Sequence, residues 1–195
     1  MSGTKRIGLI VRGKRSLDHN PGVMEQHADC IISTGEPFGF FGDEGAASGG
    51  RYSISWNRSG MNMKGMVANY EGMRKIRPYY VDASMAKKYN VVSCLLSLKV
   101  TPQESDLFDK FWKQLQLNPG SFNLLGGNCS SHASEAFVEA NILSKGIPGL
   151  DTPNNLFKQL SQEKSRDVQF VTGHIGVRRT ADLRFKLEVL PVSEV

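Results

Sequence analysis

Cysteine is scarce in this chain: three residues, Cys30, Cys94 and Cys129, in 195. An odd number without metal-ligand spacing argues against both a disulfide framework and a zinc site, and fits synthesis in a reducing cytoplasm. Long apolar runs are also missing. No stretch approaches the roughly 18 consecutive apolar residues of a membrane span, and the opening MSGTKRIGLIVRGKRSLDH has no recognisable signal peptide. The net charge of +5 and pI near 9.2 raise the possibility of an anionic partner. However, Lys and Arg are spread in short pairs such as Lys87-Lys88 and Arg178-Arg179, with no aromatic-interleaved basic run or nucleic-acid motif, so nucleic acid is not an expected partner. Internal repeats, low-complexity tracts and interdomain linkers are absent too. What remains is 39% hydrophobic and 22% charged, an ordinary balance that supports one globular domain over residues 1–195.

The pattern of apolar residues predicts a mixed α and β chain. RIGLIVRG at 5–12 and HADCIIS at 27–33 read as strands. A turn at Thr34, Gly35 and Glu36 followed by an aromatic strand makes 27–43 a β-hairpin. From about 42 to 75 lies a Gly/Met-rich insert in which RYSISWN at 51–57 is the one convincing strand. Its methionines suit core filling better than an adaptable binding surface. NVVSCLLSLKV at 90–100 is the most apolar strand. Thr101-Pro102 then opens a helix to about Leu117, with an apolar face built on Leu107, Phe108, Phe111, Trp112 and Leu115. Further helices are expected from Cys129 to about Leu143 and from Pro153, followed by strands at 167–175 and 182–190.

The segment FNLLGGNCSSHASEAFVEANI, residues 122–142, carries the strongest chemical signal. Gly126 and Gly127 permit a tight turn, Asn128 is a good N-cap, and Cys129 falls in the first helical turn. Unpaired backbone N–H groups and the helix dipole favour a thiolate there. Cys129, Ala133, Ala136, Phe137 and Ala140 share one helical face, and the alanines let that face approach a sheet closely. Cys129 is therefore the candidate nucleophile, while Cys30 and Cys94 read as small buried hydrophobes. The backbone N–H of Cys129 is a candidate oxyanion donor, with the side chain of Asn128 or Asn123 as a second. His132, one turn on, is a candidate pocket-lining residue.

The candidate base is His27, at the start of a strand. A hairpin centred on Gly35 sets Asp43 opposite His27, making Asp43 the candidate third residue, with Glu44, Asp29 and Glu36 as competitors. His174, in GHIGV at 173–177, is the alternative base.

A strand-borne His early in the chain, then a strand and helix, then an NLLxxNC-like segment opening a helix, resembles the circularly permuted papain-like enzymes. These include the lecithin retinol acyltransferase-like and PPPDE peptidase-like families and are related to NlpC-type cell-wall peptidases. The likeness covers roughly residues 5–142. Two features depart from it: Phe122 stands where tyrosine is usual, and the Gly/Met-rich insert has no counterpart. GHIGV resembles the base strand of the non-permuted NlpC-type order, which would pair Cys129 with His174.

The resemblance implies an α+β papain-like fold, an antiparallel sheet packed on the helix that bears the cysteine. It also implies amide hydrolysis through Cys129 and His27 with no metal or organic cofactor. A peptidoglycan stem peptide is the first substrate it suggests. An antibacterial effector made in the cytoplasm and exported by a machine such as type VI secretion would suit a lone catalytic domain, with an immunity protein or secretion component as partner. The alternatives are a protease or deamidase, or a lipid acyltransferase, acting on host targets, and a non-catalytic binding or adaptor module.

Overall fold

The computed structural model describes residues 5–42, 63–123, 126–147, 149–163 and 165–192. Strands β1 (Lys5–Arg12), β2 (His27–Ile31), β3 (Pro37–Gly42), β4 (Met63–Ala68), β5 (Ser93–Val100), β6 (Ser121–Phe122), β7 (Val168–Arg179) and β8 (Phe185–Leu190) form one sheet. Their order is β6-β4-β3-β2-β1-β5-β7-β8, and every pairing is antiparallel. The fold class is α+β.

The period-two alternation of strands divides the side chains cleanly between the two faces. On the first face Ile7, Leu9 and Val11 of β1, Ala28 and Cys30 of β2, Phe38 and Phe40 of β3, and Cys94, Leu96 and Leu98 of β5 form the main core. Helices α3 (Pro102–Leu117), α4 (Cys129–Glu139) and α5 (Pro153–Ser161) cover it with Phe108, Trp112, Ala133, Ala136, Phe137, Leu156 and Leu160. The second face carries the alternate residues, including Arg12, His27, Asp29, Gly39 and Phe41. Helix α1 (Tyr70–Ile76), a 3-10 turn at Pro78–Tyr80 and helix α2 (Ala83–Lys88) build a smaller apolar cluster there, with Met73, Tyr80, Val81 and Ala86 packed against Phe41 and Ala68.

Local chemistry explains where the helices begin and end. Thr101 accepts from the Glu104 N–H while the Glu104 carboxylate accepts from the Thr101 N–H, a reciprocal cap ahead of Pro102. Asn128 caps α4 by accepting from the N–H groups of Ser130 and Ser131. The expected end of α4 near Leu143 is corrected to Glu139, because Asn141 adopts φ 56° and breaks the ladder.

Two other expectations need revision. The insert holds a strand not expected there, Met63–Ala68, which pairs with β3 as β4, while Met73 is fully buried, as a core filler should be. RYSISWN at 51–57 lies outside the described residues. The hairpin between β2 and β3 turns on Ser33, Thr34 and Gly35, with Gly35 at φ 85° donating to the Ile32 carbonyl at 2.8 Å. Its centre lies one residue earlier than expected, so each partner shifts by two: Asp29 faces Gly39 and Cys30 faces Phe38.

Candidate functional site

His27 opens β2 and Cys129 opens α4, and the two meet at one end of the sheet. The imidazole projects from the second face, while Cys129 lies against the main core on the first. Its side chain is nevertheless a hydrogen-bonding partner of the His27 ring. The His27 Nε2 lies 2.9 Å from the Asp29 Oδ1, which leaves Nδ1 as the nitrogen for the sulfur. Phe41 stacks on the ring at 4.5 Å between centroids and Tyr80 at 5.5 Å, so packing as well as hydrogen bonding fixes its plane.

Asp29 follows His27 by two residues, and strand geometry therefore sets both on one face. Across the ladder Arg12 faces His27, and Ile10 faces Asp29. The Arg12 guanidinium reaches diagonally to Asp29, with Nε donating to Oδ2 at 2.7 Å. Its two terminal nitrogens donate to the carbonyls of Ile175 at 3.0 Å and Tyr80 at 2.7 Å. Both side chains of this ion pair are wholly buried. Gly39 makes room for the carboxylate, since a Cβ there would stand 2.4 Å from Asp29 Oδ1.

The charges within this row reinforce one another. Burial alone disfavours an imidazolium at His27, but the Cys129 sulfur and the Asp29 carboxylate outweigh it and raise the pKa to about 9. Burial likewise disfavours the Asp29 carboxylate, and His27 and Arg12 overcome it, holding the group below its ordinary range. Cys30 and Cys94 are fully buried, and burial raises both, Cys30 well above the ordinary value.

The remaining candidates are dispersed. Asp43 and Glu44 lie outside the described residues. Glu36 sits at the hairpin turn, at the other end of β2 from His27. His174 is buried on β7, and its Nδ1 lies 3.1 Å from the Val91 carbonyl. Ladder pairing runs from His27 through Arg12 and Ser93 to Gly173, so His174 stands about three strand spacings, roughly 14 Å, from the His27 row. His132 bonds Glu135 at 2.9 Å and meets the Phe40 ring edge-on at 4.2 Å. The Asn128 side-chain oxygen is committed to the first turn of α4. Asn123 exchanges backbone hydrogen bonds with Gly127, closing the turn before the helix.

Sequence reasoning did not single out Arg12 or Gly39. Arg12 becomes visible only once β1 is known to pair with β2 in this register. For Asp29 the signal was present, because an acid two residues after a strand histidine must share its face.

Chemically, the arrangement is an imidazole bonded to a buried carboxylate on one side and to a thiol on the other, with the thiol at a helix start. Such a group can take the thiol proton and return it to a leaving group. Among the described residues, no group of three or more His, Cys, Asp or Glu could hold a metal ion, and no helix is long and apolar enough to cross a membrane. The chain matches no family model, no curated protein and no solved structure.

Proposed function

We propose that this protein is a cysteine hydrolase that cleaves an amide bond, with Cys129 as nucleophile, His27 as acid and base, and Asp29 as the orienting carboxylate. The observation that carries the reading is the His27 ring, bonded to Asp29 at 2.9 Å and to the Cys129 side chain. Asp29 is preferred to Asp43 in this role because, among the described residues, it is the carboxylate bonded to the imidazole.

In this mechanism the Cys129 thiolate attacks the carbonyl carbon, and the backbone N–H of Cys129 stabilises the oxyanion at the start of α4. The His27 imidazolium then protonates the departing amine as the carbon–nitrogen bond breaks, leaving a thioester. Neutral His27 draws a proton from water, the hydroxyl adds to the thioester, and collapse releases the acid and restores the thiolate. Asp29 holds the ring's tautomer and stabilises its charged form.

The permuted papain-like reading is supported by a histidine strand that precedes the cysteine helix, and by an antiparallel sheet packed against α4. On that reading the first substrate is a peptidoglycan stem peptide. The setting it suggests is an antibacterial effector exported by a dedicated secretion machine, with an immunity protein as partner. Digestion of purified peptidoglycan by wild type and Cys129→Ala tests the substrate. Fragments released by wild type alone are expected; identical release by both would remove this cysteine from the chemistry. Native labelling with iodoacetamide near neutral pH separates enzyme from binding module. Fast modification of Cys129 that is lost in His27→Ala fits the enzyme, and equal sluggishness of all three thiols fits the module.

A further inference from the structure

We propose that Arg12 is a positioning residue of this site, whose buried charge balances Asp29 so that imidazolium and thiolate can coexist beside it. The inference rests on the cysteine-hydrolase reading and extends the site by one residue.

The geometry supporting it is a continuous row: Arg12 Nε to Asp29 Oδ2 at 2.7 Å, Asp29 Oδ1 to His27 Nε2 at 2.9 Å, and His27 to Cys129. With the imidazole protonated and the thiol ionised, the four groups alternate in sign and sum to zero. Without Arg12 the row would carry one surplus negative charge in a water-poor setting, where proton uptake by the sulfur is the least costly relief. The charged or titratable groups around His27 and Cys129 include Asp29 on β2, Arg12 on β1, the Cys30 thiol, Tyr80 and, one helical turn from Cys129, His132. The Phe41 ring also faces the imidazole.

The choice of arginine also fits. Its planar fork serves the carboxylate and the carbonyls of Ile175 and Tyr80 at once, and its carbon stands 4.8 Å from the centre of the Tyr80 ring. That clamp ties β7 and the 3-10 turn to the row, so Asp29 is held in position as well as held ionised.

The test is the pH dependence of Cys129 alkylation by iodoacetamide, followed by intact-protein mass spectrometry in wild type, Arg12→Met, Arg12→Lys and the double variant Arg12→Met/Asp29→Asn. Native labelling reads Cys129 because Cys30 and Cys94 are fully buried. Arg12→Met is expected to slow alkylation at pH 6 about tenfold and to move the profile upward by about one pH unit. Arg12→Lys should retain most of the wild-type rate. The double variant, which removes both members of the ion pair, should alkylate faster than Arg12→Met but more slowly than wild type, the remaining loss being the support that Asp29 gives the imidazolium. A purely structural clamp would give no such recovery. The double variant also removes the unpaired buried charge, which keeps the test valid if Arg12→Met alone does not fold. An unchanged profile in Arg12→Met, or a double variant as slow as the single, overturns the charge-balance role. A wild-type Cys129 with the profile of a simple thiol, unaffected by His27→Ala, would instead overturn the hydrolase reading beneath it.

Discussion

On the helix-covered face of the sheet, Leu9, Val11, Phe38 and Leu96 meet Trp112, Phe137 and Leu156 in a broad apolar layer. The opposite face, one residue out of phase on the same strands, buries Arg12 and Asp29 as a pair and leads to His27. The first face gains stability from area removed from water, without directional demands. The second holds charges whose desolvation cost roughly cancels their attraction, and a buried ion pair is weak evidence of stability. The contrast separates what folds the chain from what positions the chemistry. Changes to the first face should cost stability and leave reactivity intact, and changes to the second should alter how His27 titrates and how fast Cys129 reacts.

The largest expected effect lies in the apolar layer. Phe137 is fully buried and packs on Phe108 at 4.9 Å between ring centroids. Phe137→Ala should cost about 3–5 kcal/mol in urea unfolding, while the folded fraction still alkylates at Cys129. On the charged face, the folded-state pKa of His27, about 9, lies above its unfolded value of about 6.5. This stabilisation is therefore complete below pH 6.5 and disappears as pH rises through 9. Urea titrations of wild type and His27→Gln should differ most at pH 6 and converge by pH 10. A constant gap would break the comparison.

Gly39→Ala comes next. The new methyl would crowd the Asp29 carboxylate, the Phe41 ring and Met73, at a cost of about 1–3 kcal/mol. Unlike Phe137→Ala, it should also shift the pH profile of Cys129 alkylation. The smallest effect is expected far from both faces: Thr101→Ala removes the cap of α3 and should lower stability by about 1 kcal/mol with Cys129 reactivity unchanged.

Legibility in the sequence followed the range of the interactions involved. The starts of α3 and α4 depend on neighbours within four residues, so Thr101-Pro102 and Gly126-Gly127-Asn128 announced them. The pairing of Cys129 with His27 rested on a likeness in chain order, and their approach at the end of the sheet had no local signature. Strand β4 was hidden because MKGMVA has a single β-branched residue, and Gly65 lies where a Cβ would collide with the Phe40 ring. A single-residue error in the centre of the β2–β3 turn set Asp43 opposite His27, whereas the observed register pairs Asp29 with Gly39 and Cys30 with Phe38. Arg12 was unreadable for a related reason: its role depends on the β1–β2 register, which local sequence does not encode.

The central claim is that His27 shares its proton with both Asp29 and Cys129. Its most direct measurement is an NMR titration of the His27 ring in wild type, Asp29→Asn and Cys129→Ala. A wild-type midpoint near 9 that falls in both variants is expected. A midpoint near the ordinary histidine value of about 6.5, indifferent to both substitutions, would contradict it.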